Sequence, residues 1–180
     1  MSEVILELVE EFFQQRKYFT ARSGNLILIR KKQIEAEQFD TGFLLDEKSV
    51  ENISAGIVKV VAWHTCKITT RVLETFPEIV EFAKETHIKK FEEWFKGENF
   101  QKLLIISQLP SHSDLRGKVL KKLHDTGIDH LMTIPSIING VIEKIEPRKV
   151  YSSLVCDLLR VLKFYNIISS NREQMELPLR

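Results

Sequence analysis

The stretch Ala55-Gly56-Ile57-Val58-Lys59-Val60-Val61-Ala62-Trp63 constrains the fold more than any other part of this chain. Small and β-branched residues run through it without the alternation of a half-wetted strand, so it reads as a central strand buried on both faces. One charge interrupts it. A lysine inside an apolar strand costs free energy unless it meets a partner or an accessible surface, so Lys59 calls for its own explanation. Residues 102–109 form a second run of this kind. A third, at 128–134, follows a helical pattern over 115–125 that Gly127 stops. Strand, helix and strand this close together make a right-handed βαβ unit with parallel strands.

The flanking segments read differently. After Ser2, a plausible N-cap, Val4, Ile5, Leu8 and Phe12 recur at helical spacing with Glu3, Glu7, Glu10 and Glu11 between them, which predicts an amphipathic first helix. Residues 18–21 and 26–30 are short strands around the turn Ser23-Gly24-Asn25. Residues 39–46 read as another strand, closed by the polar stretch 47–52. Pro77 opens one helix carrying Ile79, Phe82, Ala83, Ile88, Phe91 and Phe95 on one broad face, with Gly97 as its stop. Pro135 and Ser136 begin a short helix. After Pro147 a last helix runs from about 150 to 165, with Leu154, Val155, Leu158, Val161 and Leu162 as its apolar positions. The expected fold class is therefore α/β (α+β). It is a single domain over residues 1–168 whose mixed β-sheet, antiparallel in one half and parallel in the other, is flanked by helices. Residues 169–180 are expected to be a loose polar tail.

Composition narrows the function classes. With 180 residues, 43% of them apolar, the chain can bury a core without staples. Its net charge of +1 gives no global attraction to nucleic acid or membrane, so any such attraction must be local. Cys66 and Cys156 form no CxxC pair, which argues against a disulfide framework or a zinc finger. Acids inside the first apolar run do not suit a signal peptide, and no run is long enough to span a membrane. The expected setting is the cytoplasm, with no membrane partner.

Two stretches carry a resemblance. The first is Phe39-Asp40-Thr41-Gly42-Phe43-Leu44-Leu45-Asp46, and the second is Ile57-Val58-Lys59-Val60-Val61-Ala62-Trp63-His64. With the element order over roughly residues 1–145, they resemble the restriction-endonuclease-like superfamily, the PD-(D/E)xK nucleases, here with extra C-terminal helices. In that family an acid opens one strand, and the next carries an acid and a lysine two residues apart. Period two puts both of those side chains on one face. The carboxylates hold a divalent cation and the lysine orients the attacking water. The resemblance implies a DNA-associated protein that uses Mg²⁺ or Mn²⁺ if it cuts. Asp40 and Asp46 are the candidate metal ligands, Glu11 is the acid contributed by the first helix, and Lys59 is a catalytic or phosphate-contacting group.

The pattern departs from the family's. If Trp63-His64 sets the register, Lys59 stands at the acid position and Val61 at the lysine position. If Lys59 is the family lysine, Ile57 replaces the acid. Either register loses a carboxylate, which weakens cation binding and favours phosphate. The expected protein is thus a nuclease relative with a degenerate centre. The alternative is a non-catalytic interaction or assembly module of the same fold, whose last helix serves a partner or a homodimer. Plainer roles stand beside these: Asp40 as a turn residue, and Lys59 in a structural ion pair with Asp40 or Asp46.

Basic residues suggest where DNA would lie. Arg30, Lys31 and Lys32 follow the second strand. His64, Lys67 and Arg71 follow the central one, and together they are expected to form a cationic rim, against a solvated surface as the plainer role. Arg116, Lys118, Lys121 and Lys122 read as the wet face of a helix. With His64 and Asp157, the pairs His124-Asp125 and Asp129-His130 give the order found in metal phosphohydrolases, but that family is all-helical. Ser111-His112-Ser113-Asp114 has triad residue types without a GxSxG elbow, and GxGxxG and Walker loops are missing. The tail Gln174-Met175-Glu176-Leu177-Pro178-Leu179 is similar to the QLxLPL-type peptide that docks bacterial proteins on the DNA polymerase sliding clamp. Gln174, Leu177 and Leu179 are the residues that would enter its groove.

Overall fold

The computed structural model of the protein describes residues 2–32, 42–46, 48–63 and 66–168. Helix α1 (Glu3–Gln14) leads into a hairpin of β1 (Tyr18–Ser23) and β2 (Leu26–Lys31). Gly24 makes that turn at φ +61°, where a β-carbon would be strained. A 3-10 turn at Ser49–Asn52 delivers the chain to β3 (Ala55–Val61). There follow α2 (Thr70–Thr75), α3 (Glu78–Glu81), α4 (Glu85–Ile88), α5 (Glu92–Phe95), β4 (Gln101–Ile106), α6 (Ser113–Asp125), β5 (His130–Thr133), α7 (Ile134–Lys144) and α8 (Leu154–Phe164).

The five strands lie in the order β1-β2-β3-β4-β5. Pairing is antiparallel from β1 to β3 and parallel from β3 to β5. The expected α+β architecture, a mixed sheet flanked by helices, is observed. Because the parallel strands are added in one direction, two right-handed crossovers place their helices on one face of the sheet. The core matches. Ile57, Val61, Leu104, Ile106 and Leu131 pack with Leu73, Ile79, Phe91, Phe95, Val119 and Leu123 from the crossovers. On the other face Val58, Val60, Leu103, Ile105 and Met132 pack with α1, α7 and Cys156 of α8. Each fully buried aliphatic side chain stabilises the fold by about 1.5–3 kcal/mol.

Two expected elements differ. The helix opened by Pro77 is not continuous: α3, α4, a 3-10 turn and α5 replace it. Ile79, Phe82 and Ala83 share one side of an ideal helix. At about 100° per residue, Phe91 and Phe95 fall on the far side. All five are buried in the same cluster, which a straight helix cannot achieve. Lys96 at φ +53° and Gly97 at φ +80° then end the segment. The strand expected over 39–46 is, within 42–46, a single parallel bridge between Leu44 and Leu131. Leu45 N–H donates to Leu131 O (2.9 Å) and Leu131 N–H donates to Phe43 O (2.8 Å), so this segment covers the outer edge of β5. The remainder of that strand and the tail 169–180 lie outside the described residues.

Candidate functional site

Period two assigns Lys59 to the crossover face. It lies between Ile57 and Val61 along β3, opposite Leu26 of β2 and Leu104 of β4, and all four neighbours belong to the crossover cluster. β3 ends at Val61, and the chain leaves the sheet through Ala62 and Trp63. There α3 lays Ile79 on the sheet and leaves Glu78 exposed beside it. The result is an open cleft of about 440 Å³ lined by Asn25, Lys59, Val61, Trp63, Glu78 and Ile79. Trp63 is braced edge-on by Phe76, with ring centroids 4.9 Å apart.

Burial holds the Lys59 ammonium below the usual lysine range, while the Glu78 carboxylate across the cleft opposes that shift. Apolar packing surrounds the lysine stem, and its charged end reaches a polar opening. An ammonium that has already shed part of its water is suited to an anionic oxygen.

The fold separates Lys59 from two of the acids expected to join it, Glu11 and Asp46. Glu11 belongs to α1, on the opposite face, where its Oε2 accepts from the Cys156 thiol at 3.4 Å. Asp46 follows the segment that borders β5, so roughly 14 Å of strand spacings separate it from β3. Its Oδ1 accepts from Ser49 N–H (2.7 Å), Ser49 O–H (2.6 Å) and Lys48 N–H (3.0 Å), and these bonds hold its pKa below the usual carboxylate value. Asp46 is thus a turn anchor, and an ion pair with Lys59 is out of its reach. Asp40 and His64 lie outside the described residues. Among the described residues no three His, Cys, Asp or Glu side chains gather as a metal site. Glu11 and Asp46, already engaged elsewhere, do not fit a shared Mg²⁺ or Mn²⁺.

The expected cationic rim is divided between two ends of the sheet. Lys31 N–H donates to Ser54 O, which places Lys31 and Lys32 at the start of β3. Lys67 and Arg71 lie past its other end, and the seven residues of β3 span roughly 20 Å. At the Lys67 end, Lys67 Nζ donates to Ser111 Oγ (2.8 Å) and Arg116 Nε donates to Pro110 O (3.2 Å), so the loop after β4 gathers two cations. Lys122 is engaged with Glu74. Asp129 and His130 serve the fold: Asp129 accepts from Lys102 N–H (2.7 Å) and the buried His130 Nδ1 meets Gly42 O (3.1 Å), while Asp157 pairs with Arg160 and His124 meets the Phe43 ring edge-on.

Sequence reasoning did not find Glu78, Asn25 or Trp63 as neighbours of Lys59. Asn25 carried only a turn signal, and nothing local in Glu78 marks it as facing a strand. No family model, curated protein or solved structure matches this chain. Among the described residues no helix is long and apolar enough to cross a membrane.

Proposed function

We propose that this chain is a DNA-associated protein on a restriction-endonuclease-like core whose cutting centre has become a phosphate-holding one. The observation that carries this reading is Lys59, a half-buried ammonium opening into a cleft at the carboxyl end of the central strand. The helix, three-strand antiparallel meander, crossover and parallel strand follow the element order of that superfamily. In that family two carboxylates hold the cation. Among the described residues the carboxylate facing Lys59 is Glu78, whose charge is drawn to the ammonium instead. Lys67, Arg71 and Arg116 extend the cationic surface past the same sheet end. The tail motif around Gln174, Leu177 and Leu179 adds the sliding clamp as a partner, in keeping with a cytoplasmic protein that works at DNA.

The test is fluorescence anisotropy on labelled single- and double-stranded DNA over a salt series, with Mg²⁺, Mn²⁺ or chelator, and gel analysis of the same samples for cutting. Salt-sensitive binding without cutting is expected, weakened about fivefold or more by Lys59→Gln, since a charge-assisted phosphate contact contributes on the order of 1–3 kcal/mol. Binding untouched by Lys59→Gln would refute the role of the cleft. Metal-dependent cutting abolished by Asp40→Ala would restore a working nuclease.

A further inference from the structure

The cleft holds more than a phosphate contact requires. Lys59 of β3 forms its floor, and its walls come from three other places. Leu26 pairs with Lys59, so Asn25, one residue earlier in the hairpin turn, stands beside the carboxyl end of β3. Trp63 lies where the chain leaves the sheet, and Glu78 belongs to α3. Among the described residues no hydrogen bond or ion pair engages the side chains of Asn25, Lys59 or Glu78. By contrast, Lys67 is bonded to Ser111, Lys102 is paired with Asp129 and Lys122 with Glu74. Trp63 is partly buried, and its edge-on neighbour Phe76 covers at most one face of the indole. Three uncommitted polar groups and a fixed aromatic ring therefore share one open space.

Given the phosphate-holding role proposed for Lys59, on which this rests, we infer that the cleft takes an unpaired nucleotide of single-stranded DNA, with its phosphate on Lys59 and its base stacked on Trp63. In a duplex each base is covered on both faces by its neighbours in the stack and shows only its edges. A duplex can offer Lys59 a phosphate but gives Trp63 nothing to stack on. A single strand offers both from one nucleotide. Glu78 limits the contact to one, because its carboxylate repels any further phosphate drawn into the cleft. That carboxylate accepts instead from a base amino group, and the Asn25 amide, which both donates and accepts, suits the rest of a base edge. A bare phosphate site has no use for the indole and is weakened by the acid.

Fluorescence anisotropy of the full-length chain with three labelled probes of one length tests it: a single strand, its duplex, and a strand of abasic residues. The single strand should bind at least about fivefold more tightly than the abasic strand, the low end of what one stacked base contributes. Trp63→Leu keeps apolar bulk against the crossover cluster; it should remove that advantage and leave duplex binding unchanged. Trp63→Phe keeps a π face and should retain most of the advantage. Trp63 and Trp94 are the two tryptophans of the chain, so Trp94→Phe leaves the emission of Trp63 alone. The single strand should quench that emission and the abasic strand should not, a readout that decides even where Trp63→Leu fails to fold. Equal binding of single and abasic strands, or a preference indifferent to Trp63→Leu, would overturn the base contact. Weakening of the same strands by Lys59→Gln would then leave the phosphate-holding role standing. Failure of all three probes to bind would refute that role and the nucleotide site together. A deoxynucleoside monophosphate that competed as well as the strand, or an RNA strand that bound more tightly, would overturn the assignment to single-stranded DNA.

Discussion

Replacing Lys59 by methionine should make the protein more stable while emptying the cleft of its charge. Methionine keeps an unbranched stem against Ile57, Val61, Leu26 and Leu104, so the packing changes little. What disappears is the cost of holding an ammonium partly out of water. Mutational data put an uncompensated buried polar group at about 1–3 kcal/mol, and half-burial brings the expected gain to about 0.5–1.5 kcal/mol. In a chain of this size that corresponds to a rise of about 1–5 °C in Tm. Glu78 loses the cation it faces but is itself exposed, so it gives back little. The gain should depend on pH. The folded-state pKa of Lys59 is depressed, so its penalty is fully present below that value. The penalty shrinks as pH rises from there towards 10.5, the ordinary lysine value, because the folded form gives up its proton first. Urea unfolding of both proteins at pH 7 and near pH 10 measures this. The advantage of the variant should be largest at pH 7 and should narrow at pH 10. A variant less stable than the wild type by more than about 1 kcal/mol would refute the reasoning, because Lys59 would then be a structural partner of Glu78 with a net favourable contribution.

Two further outcomes follow from the packing. Gly56→Ala should destabilise the fold by about 1–3 kcal/mol, because its β-carbon would sit 2.9 Å from Gln101 O and from Leu103 Cδ1 where β3 meets β4; an unchanged urea midpoint would contradict that close approach. The native chain should show one readily titrated thiol, that of Cys66. Cys156 is fully buried and its thiol is pushed up to about 12 by burial and by Glu11, so the second thiol should react with a disulfide reagent only in denaturant, and two fast native thiols would argue against the seating of α8 on α1.

Much of the architecture was legible because its signals are local. The uninterrupted apolar runs of β3 and β4, the Gly127 stop before β5 and the polar spacing of α1 are short-range chemistry, and each element appears where those signals lie. The segment after Pro77 is less legible because its apolar spacing suits a helix turn by turn, while over nine residues the helical angle carries Phe91 to the far side of Phe82. Within the strand expected over 39–46, residues 42–46 form a single bridge, which is hard to foresee because two adjacent leucines carry the same local signal in a ladder and in a bridge that covers an edge.

The candidate site was less legible. The chain itself marks Lys59 as an anomaly, since no other charge interrupts the run from Ala55 to Trp63. It does not say which way the lysine points. Val58 and Val60 on one side and Ile57 and Val61 on the other are equally apolar, so the faces are interchangeable until the helices are assigned to them. The handedness of the two parallel crossovers makes that assignment. It sends α2 to α6 to the side of Lys59 and leaves α1, with Glu11, behind the sheet. Composition and periodicity therefore determined that a mixed sheet would form around a charged central strand. The packing of the crossovers decided that Lys59 would meet Glu78 and Trp63 rather than Glu11 or Asp46, because the face on which a side chain emerges is a property of the assembled layers and not of the strand alone.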